Sequence, residues 1–158
     1  MRDVREEILV LLIEILQDMD GAPVDAAYRN HPGLTRLVRP CALLLDGEER
    51  VVGTMDRRPS GRASMPKPML IDLEPDIFYA MLTKTASEHA LTGPEMSGYR
   101  MAVVKSIMFS EELAALLGPN GGIYYRGHTT DLKNGMEALG TQQFFFTFRY
   151  VLDPEHLT

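Results

Sequence analysis

Read by the spacing of its apolar positions, the chain opens with a helix. Val4, Ile8, Leu11, Leu12 and Ile15 recur at helical intervals and draw one stripe. Asp3 followed by Glu6 is a capping-box pair, in which one side chain accepts from the first-turn amides and the other reaches back. Gly21 and Pro23 stop the element, which spans about residues 3–18. Arg2, Arg5, Glu6 and Asp18 fall on the opposite, solvated side.

A different period follows. Ala26 to Arg29 reads as a short edge strand closed by His31-Pro32-Gly33. The run Cys41-Ala42-Leu43-Leu44-Leu45 is apolar on both faces and meets Asp46-Gly47, which predicts a buried strand entering a turn, with Arg50 to Gly53 as the return. Met69 to Tyr79 alternates Met69, Ile71 and Leu73 against Leu70, Asp72 and Glu74, and its flanking prolines Pro66, Pro68 and Pro75 place it near a sheet edge or bulge. Residues 54–64 and 83–97 carry no apolar period and read as loops.

Tyr99 to Phe109 reads as a second helix with Met101, Val104, Ile107 and Met108 on one face. Ser110 re-caps ahead of Glu111 and Glu112, and Gly118-Pro119 ends the continuation after a bend. Ile123–Leu132 and Thr141–Leu152 are the two clearest strands. In the second, Phe144, Phe146, Phe148, Tyr150 and Leu152 share one face, with Gln143, Thr147 and Arg149 on the other. The order predicts an α+β fold: a mainly antiparallel sheet with two principal helices packed on one face, plus long loops.

Composition narrows the picture. A chain of 158 residues suits one domain over residues 1–158. No apolar run is long enough to span a membrane, and the first apolar stretch, interrupted by Glu14, does not resemble a signal peptide, so the expectation is a soluble intracellular protein without a membrane partner. A formal net charge of -6 argues against a general polyanion binder.

Candidate chemistry is sparse. His31, His89, His128 and His156 are isolated from one another, so neither a metal nor any other cofactor is expected. Cys41, the single cysteine, lies in the most apolar run and reads as a packing residue. No serine sits in a nucleophile elbow. The glycines from Gly118 to Gly122 follow a helix and precede a strand, which is a turn and not a phosphate loop. Glu111 and Glu112 complement a helix dipole, and Asp72 with Glu74 reads as a solvated strand face. Arg57, Arg58 and Arg62 are the one concentration of positive charge, either a solvated loop or a contact element for an acidic surface or for DNA. No catalytic residue emerges.

The order of elements resembles the tail-terminator and minor tail proteins of long-tailed bacteriophages and of gene-transfer agents. The resemblance rests on the N-terminal helix, the strand Arg39-Pro40-Cys41-Ala42-Leu43-Leu44-Leu45-Asp46-Gly47, and the Met69–Tyr79 strand. It continues through the helix ending Leu116-Leu117-Gly118, the segment Gly122 to Asp131, and the closing Phe144 to Pro154. It implies a non-enzymatic virion protein, assembled in the host cytoplasm, that forms a hexameric ring on the tail tube at the head–tail joint. Its partners would be further copies of itself, the tail tube protein and the head-side neck or stopper protein, with DNA passing through the ring. A closed ring joins two unlike patches on each subunit. Exposure logic offers Arg57, Arg58, Arg62, Tyr124, Arg126 and Arg149 as interface residues. Two other readings stay open: a neck or head-completion adaptor beside the portal, and an α+β domain with a small-molecule pocket beneath Phe144, Phe146 and Phe148.

Overall fold

A computed structural model describes residues 2–32, 40–56, 66–81, 93–132 and 140–157. Along the chain run α1 (Val4–Gln17), β1 (Ala26–Arg29), β2 (Cys41–Thr54), β3 (Met69–Ala80), α2 (Gly93–Met108), α3 (Glu111–Leu117), β4 (Gly122–Leu132) and β5 (Gly140–Leu152), closed by a 3-10 turn over Pro154–Leu157. The fold class is α+β, as the patterning predicts. The strands form one five-stranded sheet in the order β1-β2-β3-β5-β4. The sheet is mixed: β1 lies parallel to β2 at one edge, and the other neighbours are antiparallel. Three described helices, not two, accompany it.

The core lies between those helices and one face of the sheet. Ile8, Leu9, Leu12 and Leu16 of α1, Val103 and Ile107 of α2, and Leu113 and Leu117 of α3 meet Leu44, Ile71, Leu73, Ile77, Phe144, Phe146 and Phe148. Each of these strand residues is separated from the next on its strand by an even number of positions, as one face of a pleated strand requires. The buried side of α1 therefore centres on Leu9, Leu12 and Leu16, with Leu11 and Ile15 at its flanks. Fully burying each such side chain contributes on the order of 2 kcal/mol, which makes this layer the main source of stability.

Several elements differ from the sequence expectation. Asp46-Gly47 is not a turn. β2 runs straight through it, because its partner register shifts by one residue between Leu45 and Glu48, placing Asp46 and Gly47 opposite Pro75. Gly47 sits at φ +69, and a Cβ there would lie 2.0 Å from the Glu74 carbonyl oxygen, so glycine permits the bulge. β3 is an interior strand, paired to β2 and β5, so of the two placements its prolines suggest, edge or bulge, only the bulge is found, opposite Pro75. Pro75 is accommodated within it because the bulge interrupts the ladder where its missing N–H would have donated. A matching bulge in β4 at Arg126, between the pairs Tyr125–Phe146 and Gly127–Phe145, continues the irregularity to the far edge.

The loop expected over 83–97 ends earlier, since α2 begins at Gly93; residues 83–92 lie outside the described residues. On α2 the inward side is Ala102, Val103 and Ile107, while Met101 and Met108 are exposed. α3 caps as expected, with the Ser110 hydroxyl accepting from the Leu113 amide at 3.2 Å. In α1 the Asp3 carboxylate accepts from the Glu6 amide at 3.1 Å, but the Glu6 side chain is drawn to Arg29 and does not reach back. Arg5 and Glu6 are thus not a solvated face; they tie α1 to the sheet.

Candidate functional site

The sheet has a second face, on the side away from the core, built by the alternate positions of the same strands. Register places Glu48 beside Glu74, Arg50 beside Asp72, and Asp72 beside Arg149, with Gly122 next to Arg149 and Tyr124 opposite Thr147. In-register charges of opposite sign attract across adjacent strands. Arg149 donates to both oxygens of Asp72, Nε at 2.7 Å and Nη2 at 2.9 Å, although Asp72 is only 5% exposed. That hydrogen-bonded pair raises the guanidinium pKa above its ordinary value. The same guanidinium lies 5.4 Å from the centroid of the Tyr124 ring.

Glu74 is the second junction. Its carboxylate accepts from Arg50 Nη2 at 2.9 Å and from the Thr147 hydroxyl at 3.2 Å, and Arg126 approaches to 3.9 Å. Gln143 donates to Asp76 at 3.2 Å. A ladder of paired side chains therefore crosses β2, β3, β5 and β4. Arg126 meets Glu74 on this face, and the bulge there resets the alternation, so that His128, three positions after Tyr125, also turns toward the core.

Of the interface residues expected from sequence, Tyr124, Arg126 and Arg149 share this surface. Tyr124 is 46% exposed, while Arg149 is held by Asp72. Arg57, Arg58 and Arg62 lie outside the described residues. Sequence reading missed the acidic half of the ladder: Asp72 and Glu74 are ion-paired, not solvated. Their signal was the alternation Leu70, Asp72, Glu74, but which strand carried the matching cations required the register.

A second polar cluster fastens α1 to the sheet. Arg29 donates to Glu6 at 2.6 and 2.8 Å and to Asp46 at 2.7 and 2.9 Å. Hydrogen bonding by Arg29 lowers the pKa of both carboxyls. Arg5 reaches Glu49 at 3.5 Å, and Glu49 accepts from the Tyr150 hydroxyl at 2.7 Å. Burial, aided by that bond, pushes the Tyr150 phenol upward.

The remaining candidates pack. Phe144, Phe146 and Phe148 are fully buried, with the Phe146 and Phe148 rings stacked at 5.9 Å. A cleft of about 360 Å³ opens elsewhere, between Val4, Leu116, Pro119 and Leu152. Cys41 is buried. His31 packs on Tyr28 with centroids 5.6 Å apart. His128 stacks on Phe144 and meets the Tyr125 hydroxyl at 3.3 Å, and burial, together with Arg100, lowers its pKa. His89 and the His156 side chain lie outside the described residues. Among the described residues no three His, Cys, Asp or Glu side chains gather as a metal site, and no helix is long and apolar enough to cross a membrane. Gly118 closes α3 and begins the turn expected there, with the Gly121 amide donating to its carbonyl at 3.2 Å. Compared with models of known protein families and with curated proteins, the chain matches none.

Proposed function

We propose that this protein is a virion structural component: a tail terminator that caps the tail tube as a ring and joins it to the head-side neck. The observation that carries the reading is the ladder-bearing face. Its Arg149–Asp72 and Arg50–Glu74 pairs are formed within the monomer, which holds long side chains in place before any partner arrives. Preorganised charge at a surface favours specific protein contact over turnover, because little side-chain entropy is lost on docking. Tyr124 adds a rigid aromatic of the type enriched at interface centres. The reading also rests on the resemblance in the order of elements drawn from the sequence: an N-terminal helix, the strands at Arg39–Gly47 and Met69–Tyr79, the helix ending Leu116-Leu117-Gly118, then the two closing strands.

The test is negative-stain imaging of the purified protein, alone and mixed with tail tubes assembled without a cap. Rings seated on one tube end, lost on Tyr124→Ala with Arg126→Glu, are the expected result. Bare tube ends in the mixture would reject the terminator and direct the search to a neck adaptor beside the portal.

A further inference from the structure

On the outer side of the helical layer, α1 and α3 lie against one another and leave a groove of about 660 Å³ between them. Val10, Leu11 and Leu116 line it, and Val10 is 45% exposed. Glu7, Glu14 and Glu112 also line it. Arg2, the basic residue at this groove, is bonded to Glu7 at 2.9 Å, so its charge is already matched. Asp3 and Glu6 are engaged too, by the first turn of α1 and by Arg29. Glu14 and Glu112 are exposed and have no basic partner among the described residues.

An apolar floor edged by unmatched carboxylates suits one kind of side chain above others: a long apolar stem ending in a planar cation. Arginine has that form, packing its methylenes while its guanidinium forks a carboxylate. The chain carries such side chains close together. Between Asp56 and Lys67 stand Arg57, Arg58 and Arg62 with no acid among them. By sequence they belong to the connection between β2 and β3, whereas the groove is made by α1 and α3, so the two are separate stretches of one chain. Unlike surfaces that fit each other give head-to-tail contacts, and these close into rings.

We infer that the α1–α3 groove of one copy receives the Arg57–Arg62 segment of a second copy. The inference rests on the ring-forming reading above and names its subunit contact: the arginine stems cover Val10 and Leu116, and the guanidinium groups pair with Glu14 and Glu112.

The contact can be tested without tail tubes. A fluorescent peptide of residues 55–67 is titrated into the full chain whose own arginines are replaced (Arg57→Ser, Arg58→Ser, Arg62→Ser), so that no internal segment competes. Saturable binding at low salt is expected. It should weaken about tenfold when the receptor also carries Glu14→Lys and Glu112→Lys, the loss of two exposed ion pairs and their replacement by repulsion. Sedimentation then supplies the second arm. A copy with Arg57→Glu, Arg58→Glu and Arg62→Glu should stay monomeric alone, and should associate when mixed with the groove-reversed copy. Unaltered thermal melting of each variant confirms that it is folded.

Absence of saturation, or equal affinity for both receptors, overturns the contact. Peptide binding combined with charge-reversed copies that never associate assigns the groove to the chain's own segment and overturns the second copy as occupant. Rings on tube ends without peptide binding would retire the groove and keep the terminator. Peptide binding with bare tube ends would do the reverse.

Discussion

The two faces of this sheet are made from alternate residues of the same strands, yet they are stabilised by different physics. Toward the helices, β3 and β5 present Ile71, Leu73, Ile77, Phe144, Phe146 and Phe148, all buried. One residue along, the same strands present Asp72, Glu74, Asp76, Gln143, Thr147 and Arg149. Apolar burial is non-directional and scales with area, so the first face carries most of the stability. Ion pairs and polar hydrogen bonds are directional and nearly offset by desolvation, so the second face contributes little net stability and much fixed geometry. One face holds the fold together, and the other presents a defined pattern of charge.

The largest expected effect lies on the buried face. Phe146→Ala should cost about 3–5 kcal/mol in urea unfolding, and Phe145→Ala, its neighbour on the open face, less than half of that. Equal losses would remove the distinction between the faces.

Next in size is the bulge that bends β2. Gly47→Ala forces a Cβ against the Glu74 carbonyl at a positive φ and should cost about 1–3 kcal/mol, with faster hydrogen exchange across β2 and β3. An unchanged stability would mean that the strand re-registers at no cost.

The ladder itself comes third. Asp72→Asn weakens the bidentate acceptor of a partly buried guanidinium and should cost about 1–2 kcal/mol. Asp72→Leu with Arg149→Met should cost less than the sum of the two single changes, measured as a double-mutant cycle. Strict additivity would show that the pair acts as two independent surface charges.

The smallest effect concerns the clamp between α1 and the sheet. Arg29 holds the Asp46 and Glu6 carboxyls below their ordinary range. A depressed folded pKa gives stability that is complete above the unfolded value, about 4, and is lost as pH falls through the lower folded values. Arg29→Gln should therefore lower stability by about 1 kcal/mol at neutral pH, a fall of about 2–4 °C in melting temperature. It should also flatten the acid limb of the stability curve below pH of about 4, where the natural protein loses its advantage. Identical slopes for both proteins in acid would assign the stabilising role elsewhere.

Much of this architecture was legible from spacing alone. The extent of α1, the Ser110 cap of α3 and the period-two run from Phe144 to Leu152 each follow from a local rule, and each is found, although the buried stripe of α1 is Ile8, Leu9, Leu12 and Leu16, with Val4, Leu11 and Ile15 only partly covered. Local rules failed where a partner strand intervened. Asp46-Gly47 reads as a turn in isolation, but pairing with β3 on both sides of Pro75 converts it to a bulge. Met101 and Met108 read as core, but the inward side of α2 is Ala102, Val103 and Ile107. The candidate site was legible by halves. Tyr124, Arg126 and Arg149 stood out as off-core residues, while their acidic partners looked solvated.

By itself the sequence determined the type and order of the main described elements and which residues of β5 turn inward, because those choices depend on periodicity within a few neighbours. It also set the composition of the second face, since every residue not turned inward is necessarily turned out. Only the tertiary structure decided which charges meet. Asp72 and Arg149 are 77 positions apart, and their pairing depends on β3 and β5 lying in one register rather than another. A slip of one residue would send Arg149 into the core and Phe148 out of it. The hydrophobic cost of that slip holds the register, and the register in turn assembles the charged ladder.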